Sequence, residues 1–287
     1  MKKIAAVIAG CLAVIGSATA QVTVEVTTEQ DQFLPGESLD VAVRIINRSG
    51  QTLHLGADSA WLTFSVESRN GLVVSKKGEV PVQGEFTLDS SKRATKRVNL
   101  APYFGLSTPG RYTITATLRV ADWNQQIVSP AKGFDIIAGS KLWEQVVGLP
   151  KIAAVSNQPP ELRRYILHQA NYLKQLMLYV QVTDADGKVY RVFPLGPMLS
   201  FGQPEPQVDK TSNLHVLYQD GPRTFSYSVV DPDGMLIVRR TYDYTSRPRL
   251  KATEDGGFEV VGGTRRLTPK DIPAPAISDR SAAPPAP

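Results

Sequence analysis

A strict alternation of apolar and polar residues limits the fold of this chain more than any other feature of its sequence. The clearest run spans residues 112–120, where every second residue is apolar and those between are threonine or arginine. Successive side chains of a strand point to opposite faces of a sheet, so this pattern predicts strands with one face in a core and the other in water. Shorter runs of the same kind occupy residues 22–26, 39–45 and 62–66.

Turn signals separate these runs. They are the pairs Pro35-Gly36, Ser49-Gly50, Asn70-Gly71 and Pro109-Gly110. Glycine supplies a positive φ angle and proline blocks continuation of a strand. Several short strands at this spacing predict an all-β sandwich over residues 21–138.

Two segments of this region resemble immunoglobulin-like or fibronectin type III-like modules of bacterial exported proteins. Residues 33–47 resemble the second strand region of such modules, and the run from Pro109 to Tyr112 is similar to their tyrosine corner. The resemblance implies that the Tyr112 hydroxyl returns to upstream backbone. Cys11 is the only cysteine, so the antibody-type cysteine pair is absent and a true immunoglobulin domain is excluded. The wider class of β-sandwiches is not excluded.

A second domain is predicted over residues 161–266, after a proline-interrupted linker at 139–160. It is expected to be an antiparallel β-meander, forming an open sheet or small sandwich that oligomerisation would complete. The expected strands are residues 178–183, 188–194, 213–219, 223–230, 235–243 and 257–262, with Asp-Gly turns between several of them. Together with the first domain, this predicts a mainly β protein.

Residues 161–177 are ambiguous, because Leu162, Tyr165 and Ile166 follow helical spacing while the next residues alternate like a strand. The pattern favours a helix or irregular turn that leads into a strand. Residues 267–287 are rich in proline and alanine and are predicted to be a disordered tail.

Residues 1–20 have the layout of a secretory signal peptide, with Lys2 and Lys3, an apolar run from residue 4 to 15, and small residues Ala18 and Ala20. The sequence therefore predicts a periplasmic or secreted protein. A lipoprotein anchored through Cys11 is the less favoured alternative, since residues 12–15 continue the apolar run. No downstream run reaches the roughly 20 apolar residues of a transmembrane helix.

The charge of the chain argues against a nucleic acid partner, because the net charge of +5 is small for 287 residues. Two groups of basic residues nevertheless stand out. They are Lys92, Arg93, Lys96 and Arg97, and then Arg239, Arg240, Arg247 and Arg249. Both are interpreted as solvated strand faces or charged strand edges.

No catalytic, metal or cofactor residue is predicted. His54, His168 and His215 do not stand at zinc-ligand spacing, and none is near a glycine-framed serine. The paired aspartates at 184–186 and 231–233 resemble the start of a calcium loop, but self-capping hairpin turns are the favoured interpretation. The enzyme alternative is an envelope hydrolase with a site around Asp209, His215 and Asp231.

Aromatic residues are the remaining candidates for a binding surface. Trp123 lies in a polar segment where an exposed indole would stack on a sugar ring or anchor a protein. Trp61, Tyr218 and Tyr242 are the other candidates, with core packing as the alternative role. The leading hypothesis is an exported, non-catalytic binding or scaffolding protein that recognises a protein or glycan. An assembly factor acting by β-augmentation is a further alternative, and the oligomeric state is left open.

Overall fold

The computed structural model describes residues 21–150 and 161–273. The predicted signal peptide at 1–20, with Cys11, and residues 274–287 of the predicted tail lie outside the described residues. Within them the chain forms mostly antiparallel β-sheets, with one parallel strand pair, and two short 3-10 helices, without any α-helix. The mainly β fold class is therefore confirmed.

The N-terminal domain is an immunoglobulin-like sandwich. Its strands are β1 (Val22–Thr28), β2 (Gln32–Phe33), β3 (Asp40–Asn47), β4 (Leu53–Leu55), β5 (Leu62–Ser68), β6 (Phe86–Leu88), β7 (Arg93–Asn99), β8 (Gly110–Val120), β9 (Gln125–Val128) and β10 (Lys132–Ile136). One sheet has the order β1-β3-β7 and the other β2-β10-β8-β5, with β9 beside β8 and a separate β4-β6 pair. The alternating apolar residues predicted from the sequence form one core between them, including Ile45, Ile114 and Leu118.

The tyrosine corner is confirmed. The Tyr112 hydroxyl, near the start of β8, donates a hydrogen bond of 2.7 Å to the carbonyl oxygen of Thr108. The ring itself stacks on Phe134 of β10 at a centroid distance of 5.6 Å. The hydroxyl thus fixes the loop before β8 while the ring contributes to the core.

We expect Tyr112→Phe to lower the free energy of unfolding by about 1 kcal/mol, because it removes one hydrogen bond and leaves the ring packing intact. Urea denaturation of the mature chain measures this change. Tyr103→Phe is the matched control in the same domain, since no side-chain hydrogen bond of Tyr103 is found among the described residues. Equal midpoints for the two variants would contradict a stabilising corner.

The first basic group lies on an open sheet edge. β7 pairs with β3 on one side only among the described strands, and Arg93 and Arg97 on it are exposed. Charged residues at such an edge oppose pairing with another chain, as the sequence analysis expected. The second group is different, since Arg239 and Arg240 lie on a central strand of the C-terminal domain.

The C-terminal domain is a second sandwich. Its strands are β11 (Ser140–Gly148), β12 (Leu162–Tyr172), β13 (Gln175–Thr183), β14 (Val189–Pro197), β15 (Glu205–Val208), β16 (Leu214–Gly221), β17 (Thr224–Val230), β18 (Leu236–Asp243), β19 (Arg249–Ala252), β20 (Phe258–Val261) and β21 (Thr264–Arg266). A β11-β12-β13-β14 meander packs on a β15-β16-β17-β18-β21 sheet, around residues such as Leu167, Val180 and Val216. The β19-β20 hairpin packs on the opposite face of the second sheet, through Leu250 and Val260.

Three sequence predictions for this region are wrong. Residues 140–148 of the predicted linker form the edge strand β11, and residues 162–172, where a helix or turn was favoured, form β12. The tail prediction also fails at its start, because Ile272 pairs with Arg239 of β18 through two backbone hydrogen bonds. The sequence of β12 does not alternate because a polar residue, Arg163, occupies a buried position and an apolar one, Ile166, a partly exposed position, while Ala170 is buried against a second core.

The two domains meet through the turn that follows β2. Leu34 packs against Ala170, Tyr179 and Val192 on the outer face of the first C-terminal sheet. A hydrogen bond of 2.7 Å from the Leu173 amide to the Gln32 side chain joins the same surfaces. The outer face of this sheet is therefore partly buried by the N-terminal domain.

Candidate functional site

A groove of about 410 Å³ lies at one end of the second C-terminal sheet. It is lined by residues 201–205 of the connection between β14 and β15, by residues 217–225 of the β16-β17 hairpin, and by residues 244–248 after β18. Phe201, Phe225 and Tyr244 supply its rings, and we call it the aromatic groove. Its volume is in the range of small-ligand sites.

Phe201 is the most exposed aromatic side chain of the groove, with 78% of its surface accessible. It lies in a turn closed by a hydrogen bond from the Gly202 amide to the Leu199 carbonyl oxygen, 3.0 Å. The Leu199 amide donates to the carbonyl oxygen of Gln219 on β16, 3.1 Å, which attaches the turn to the sheet. The fold thus holds a large apolar ring in water, an arrangement typical of a contact surface.

A second aromatic surface lies across the groove. The Tyr244 ring is 43% exposed and stacks on Phe225 at a centroid distance of 6.3 Å and an interplanar angle of 23°. Phe225 is buried in the core beneath the β19-β20 hairpin. Tyr244 therefore stands on a fixed support and presents its other side to the groove.

Planar polar groups also line the groove. The Gln219 side-chain amide donates to the carbonyl oxygens of Gly221 and Pro222, at 3.1 and 3.2 Å. The Glu205 carboxylate accepts a hydrogen bond of 3.0 Å from the Leu250 amide. Gln203 and Arg247 complete the polar lining. Rings combined with a few oriented polar groups are characteristic of a recognition site.

Tyr218 lies at the base of the groove, where it is almost fully buried. Burial raises the pKa of its hydroxyl well above the ordinary value, so this group stays protonated at neutral pH. The hydroxyl also lies so close to Gly196 of β14 that a β-carbon there would approach it to 2.7 Å. Glycine at this position lets the two sheets meet beneath the groove.

The structure does not assemble the four aromatic residues that the sequence analysis selected for binding. Trp61 is only 2% exposed and donates from its indole nitrogen to the Val82 carbonyl oxygen at 2.8 Å, inside the N-terminal core. Trp123 lies in a 3-10 helix and packs partly against the same core. Tyr242 is buried on β18, and of the four residues only Tyr218 lines the groove. Their packing does not favour direct ligand contact by Trp61 or Tyr242.

Asp209 and His215 of the hydrolase alternative are in contact. His215 Nε2 lies 3.0 Å from Asp209 Oδ2, and Nδ1 lies 2.7 Å from the Tyr227 hydroxyl. Burial raises the pKa of Tyr227 to about 12, so this hydroxyl is a donor at neutral pH. The Tyr227 hydroxyl contacts one ring nitrogen and the Asp209 carboxylate contacts the other. Both ring nitrogens of His215 are therefore already used.

The Asp209 carboxylate is also fully engaged by its own loop. It accepts hydrogen bonds from the amides of Thr211 and Asn213 and from their side chains, at 2.8 to 3.0 Å. Asp231 lies in a different turn and accepts from the amides of Asp233 and Met235. The contacts of Asp209 and His215 therefore describe a buried structural network rather than a base beside a nucleophile.

The aspartate turns have the self-capping geometry expected from the sequence. Asp184 accepts a hydrogen bond of 2.8 Å from the Lys188 amide, and Asp231 caps the β17-β18 turn. No group of three acidic, histidine or cysteine side chains suited to a metal ion occurs among residues 21–150 and 161–273. Within the same residues, no helix has the length and apolar character needed to cross a bilayer.

A larger cleft of about 640 Å³ lies beside the contact between the two domains and is lined by residues of both. Its buried carboxylate, Glu37, accepts 2.8 Å hydrogen bonds from the Leu34 amide and the Gln30 side chain. Burial raises the pKa of Glu37 above the ordinary value despite these bonds. Since both oxygens serve the turn that joins the domains, this carboxylate has a structural role, and the aromatic groove is the better candidate site.

Comparisons with known proteins do not assign the chain to a family. No family model and no curated protein matches it. Among solved structures, it is similar to Spo0M, a sporulation control protein from Bacillus subtilis, with 10% sequence identity and a TM-score of 0.32. The match covers 60% of this chain and 83% of that one. A TM-score this low supports no conclusion about fold or function.

Proposed function

We propose that this chain is an exported, non-catalytic recognition protein that binds a glycan in the aromatic groove. The signal-peptide layout of residues 1–20 supports export to the periplasm or the outside. The observation that carries the binding role is Phe201, a large apolar ring held in water by a turn attached to β16. Covering such a ring with a ligand removes apolar surface from water and therefore stabilises the complex.

The lining favours a glycan over a protein. Sugar rings have apolar faces that stack on aromatic side chains, and their hydroxyl groups pair with planar amides, carboxylates and guanidinium groups. Phe201 and Tyr244 supply the aromatic side chains. The polar groups are supplied by Gln203, Gln219 and Arg247. A protein ligand is the alternative outcome of the experiment below.

We expect Phe201→Ala to weaken retention on the cognate glycan by roughly 30-fold, the effect of losing a binding hot spot of about 2 kcal/mol. Retention is measured on a panel of immobilised soluble and insoluble polysaccharides. Stability should change little, because the removed ring is mostly exposed. Leu267→Ala is the matched control, since Leu267 is 83% exposed and lies outside the groove.

Equal retention of the Phe201 and Leu267 variants would contradict the assignment of the groove as the binding site. Retention of polypeptides but of no carbohydrate, with loss in Phe201→Ala, would replace the glycan by a protein ligand. Turnover of a polysaccharide that disappears on replacing His215 would favour the hydrolase. The assembly alternative requires a client strand at a sheet edge such as β11, which pairs only with β12 among the described strands.

A further inference from the structure

We infer that the aromatic groove binds an acidic glycan, whose carboxylate is held by Arg247. This inference rests on the proposed function, because it names the class of glycan for the same site. It also gives a role to Arg247, a member of the second basic group that lies after β18.

Arg247 gives the groove one candidate contact for an anion. Glu205 and Arg247 are the two charged residues that line it. The Glu205 carboxylate is already bound to the Leu250 amide at 3.0 Å. Nearby Arg265 and Arg266 form ion pairs with Asp271 and Asp243, whereas Arg247 has no carboxylate partner among the described residues. The groove therefore presents an unpaired guanidinium group.

A second cation lies behind Tyr244. Arg223, in the β16-β17 turn, directs a guanidinium nitrogen to the Tyr244 carbonyl oxygen at 3.4 Å. Its side chain forms no ion pair within the described part of the chain. Arg223 thus adds a second cation near Arg247 at this end of the groove, while the nearest carboxylate, Asp220, is engaged by the Ser226 hydroxyl.

The backbone that carries Arg247 is held in place from behind. The Gly263 amide donates to the Ser246 hydroxyl at 3.1 Å. Gly262 has a φ angle of +79°, and a β-carbon there would lie 2.7 Å from the Arg247 carbonyl oxygen. Glycine permits this close approach, so the segment is anchored while the Arg247 side chain stays exposed to the groove.

The chemistry of a uronic acid matches both features of the site. Its ring offers an apolar face to Phe201, and its carboxylate matches the fork of donors on a guanidinium group. A neutral sugar would use the ring contact alone. Discrimination between the two should therefore depend on Arg247, while ring binding should depend on Phe201.

Matched pairs of glycans test this directly. Oligogalacturonate, oligomannuronate and oligoglucuronate are each compared with their carboxyl-reduced forms, which keep the backbone and lose the charge. We expect at least one acidic form to bind about tenfold or more tightly than its reduced form, as a charged hydrogen-bonded contact implies. Higher salt should weaken that preference.

Variants of the mature chain assign the preference to its residue. Arg247→Gln should abolish the difference between acidic and reduced forms, and Arg247→Lys should retain only part of it, because a lysine lacks the planar fork. Arg249→Gln is the matched control, since Arg249 is exposed on β19 outside the groove. It should leave the preference unchanged.

Each result decides between the two proposals. Equal binding of acidic and reduced forms, still dependent on Phe201, overturns the acidic glycan and leaves the recognition function standing. A preference for the acidic form that survives Arg247→Gln also overturns this inference. Failure of the chain to retain any carbohydrate, charged or neutral, overturns both.

Discussion

Replacement of Trp61 by alanine is expected to lower the free energy of unfolding by about 3–5 kcal/mol, the usual cost of deleting a buried aromatic side chain. The indole is almost fully buried in the N-terminal core and packs edge-to-face on Phe86 at 5.7 Å. The substitution leaves a cavity and also removes the donor to the Val82 carbonyl oxygen. Denaturant unfolding of the mature chain, followed by circular dichroism, measures the loss.

Trp123→Ala provides the control for this prediction. Trp123 packs only partly against the same core, so its removal should cost clearly less than the removal of Trp61. The comparison separates deep packing from a general sensitivity to loss of tryptophan. Equal effects of the two substitutions, or a loss below about 1 kcal/mol for Trp61→Ala, would contradict the packing described here.

Replacement of Asp209 by alanine should lower the free energy of unfolding by about 1–3 kcal/mol, because it leaves the hydrogen-bond network around His215 without its acceptor. Donors from Thr211, Asn213 and His215 lose their acceptor together, and the His215 ring is buried between Tyr227 and Phe258. Asp209→Asn keeps the shape and should cost less. Asp255→Ala is the matched control, because Asp255 caps a similar but exposed turn.

The same carboxylate should make the chain sensitive to acid. Burial opposes ionisation of Asp209, yet hydrogen bonds from His215, Asn213 and Thr211 outweigh it and lower its pKa below the ordinary value. A lowered folded-state pKa contributes stability that is present above the unfolded value of about 3.9 and is lost as the pH falls through the folded value. In Asp209→Asn this part of the acid destabilisation should disappear. An unchanged pH profile of unfolding in that variant would contradict the network.

The sequence predicted the N-terminal domain well, for a physical reason. Its longer strands β1, β3, β5 and β8 each have one face in a single core and the other toward water, so alternation is clear in these four runs. Tyr112 added a specific side-chain contact to that prediction. Where burial is one-sided, the two-residue period is enough to place the strands.

The C-terminal domain was predicted less well because its strands break that condition in two ways. β12 carries a buried Arg163, whose guanidinium group donates to the Pro232 carbonyl oxygen at 3.1 Å, and its second face is partly covered around Ala170. β11 is an edge strand exposed along most of its length, so Lys141, Glu144 and Gln145 gave it the composition of a linker. Neither pattern alternates.

The candidate site was largely invisible in the sequence. Phe201 lies in a turn and belongs to no periodic run, so nothing in the sequence separated it from a core residue. Arg247 was grouped with Arg239 and Arg240, which lie on a strand instead of at the groove. Residues 201, 219 and 247 meet only because the second sheet brings three connections to one end, and this depends on strand order.

Hydrogen exchange of the mature chain, with and without a glycan that it retains, tests the central claim most directly. Binding in the aromatic groove should slow exchange of backbone amides at residues 199–205, 217–225 and 244–250, and leave the N-terminal sandwich unchanged. Protection limited to the N-terminal domain, or to residues 29–40 and 188–193 of the cleft between the domains, would contradict it.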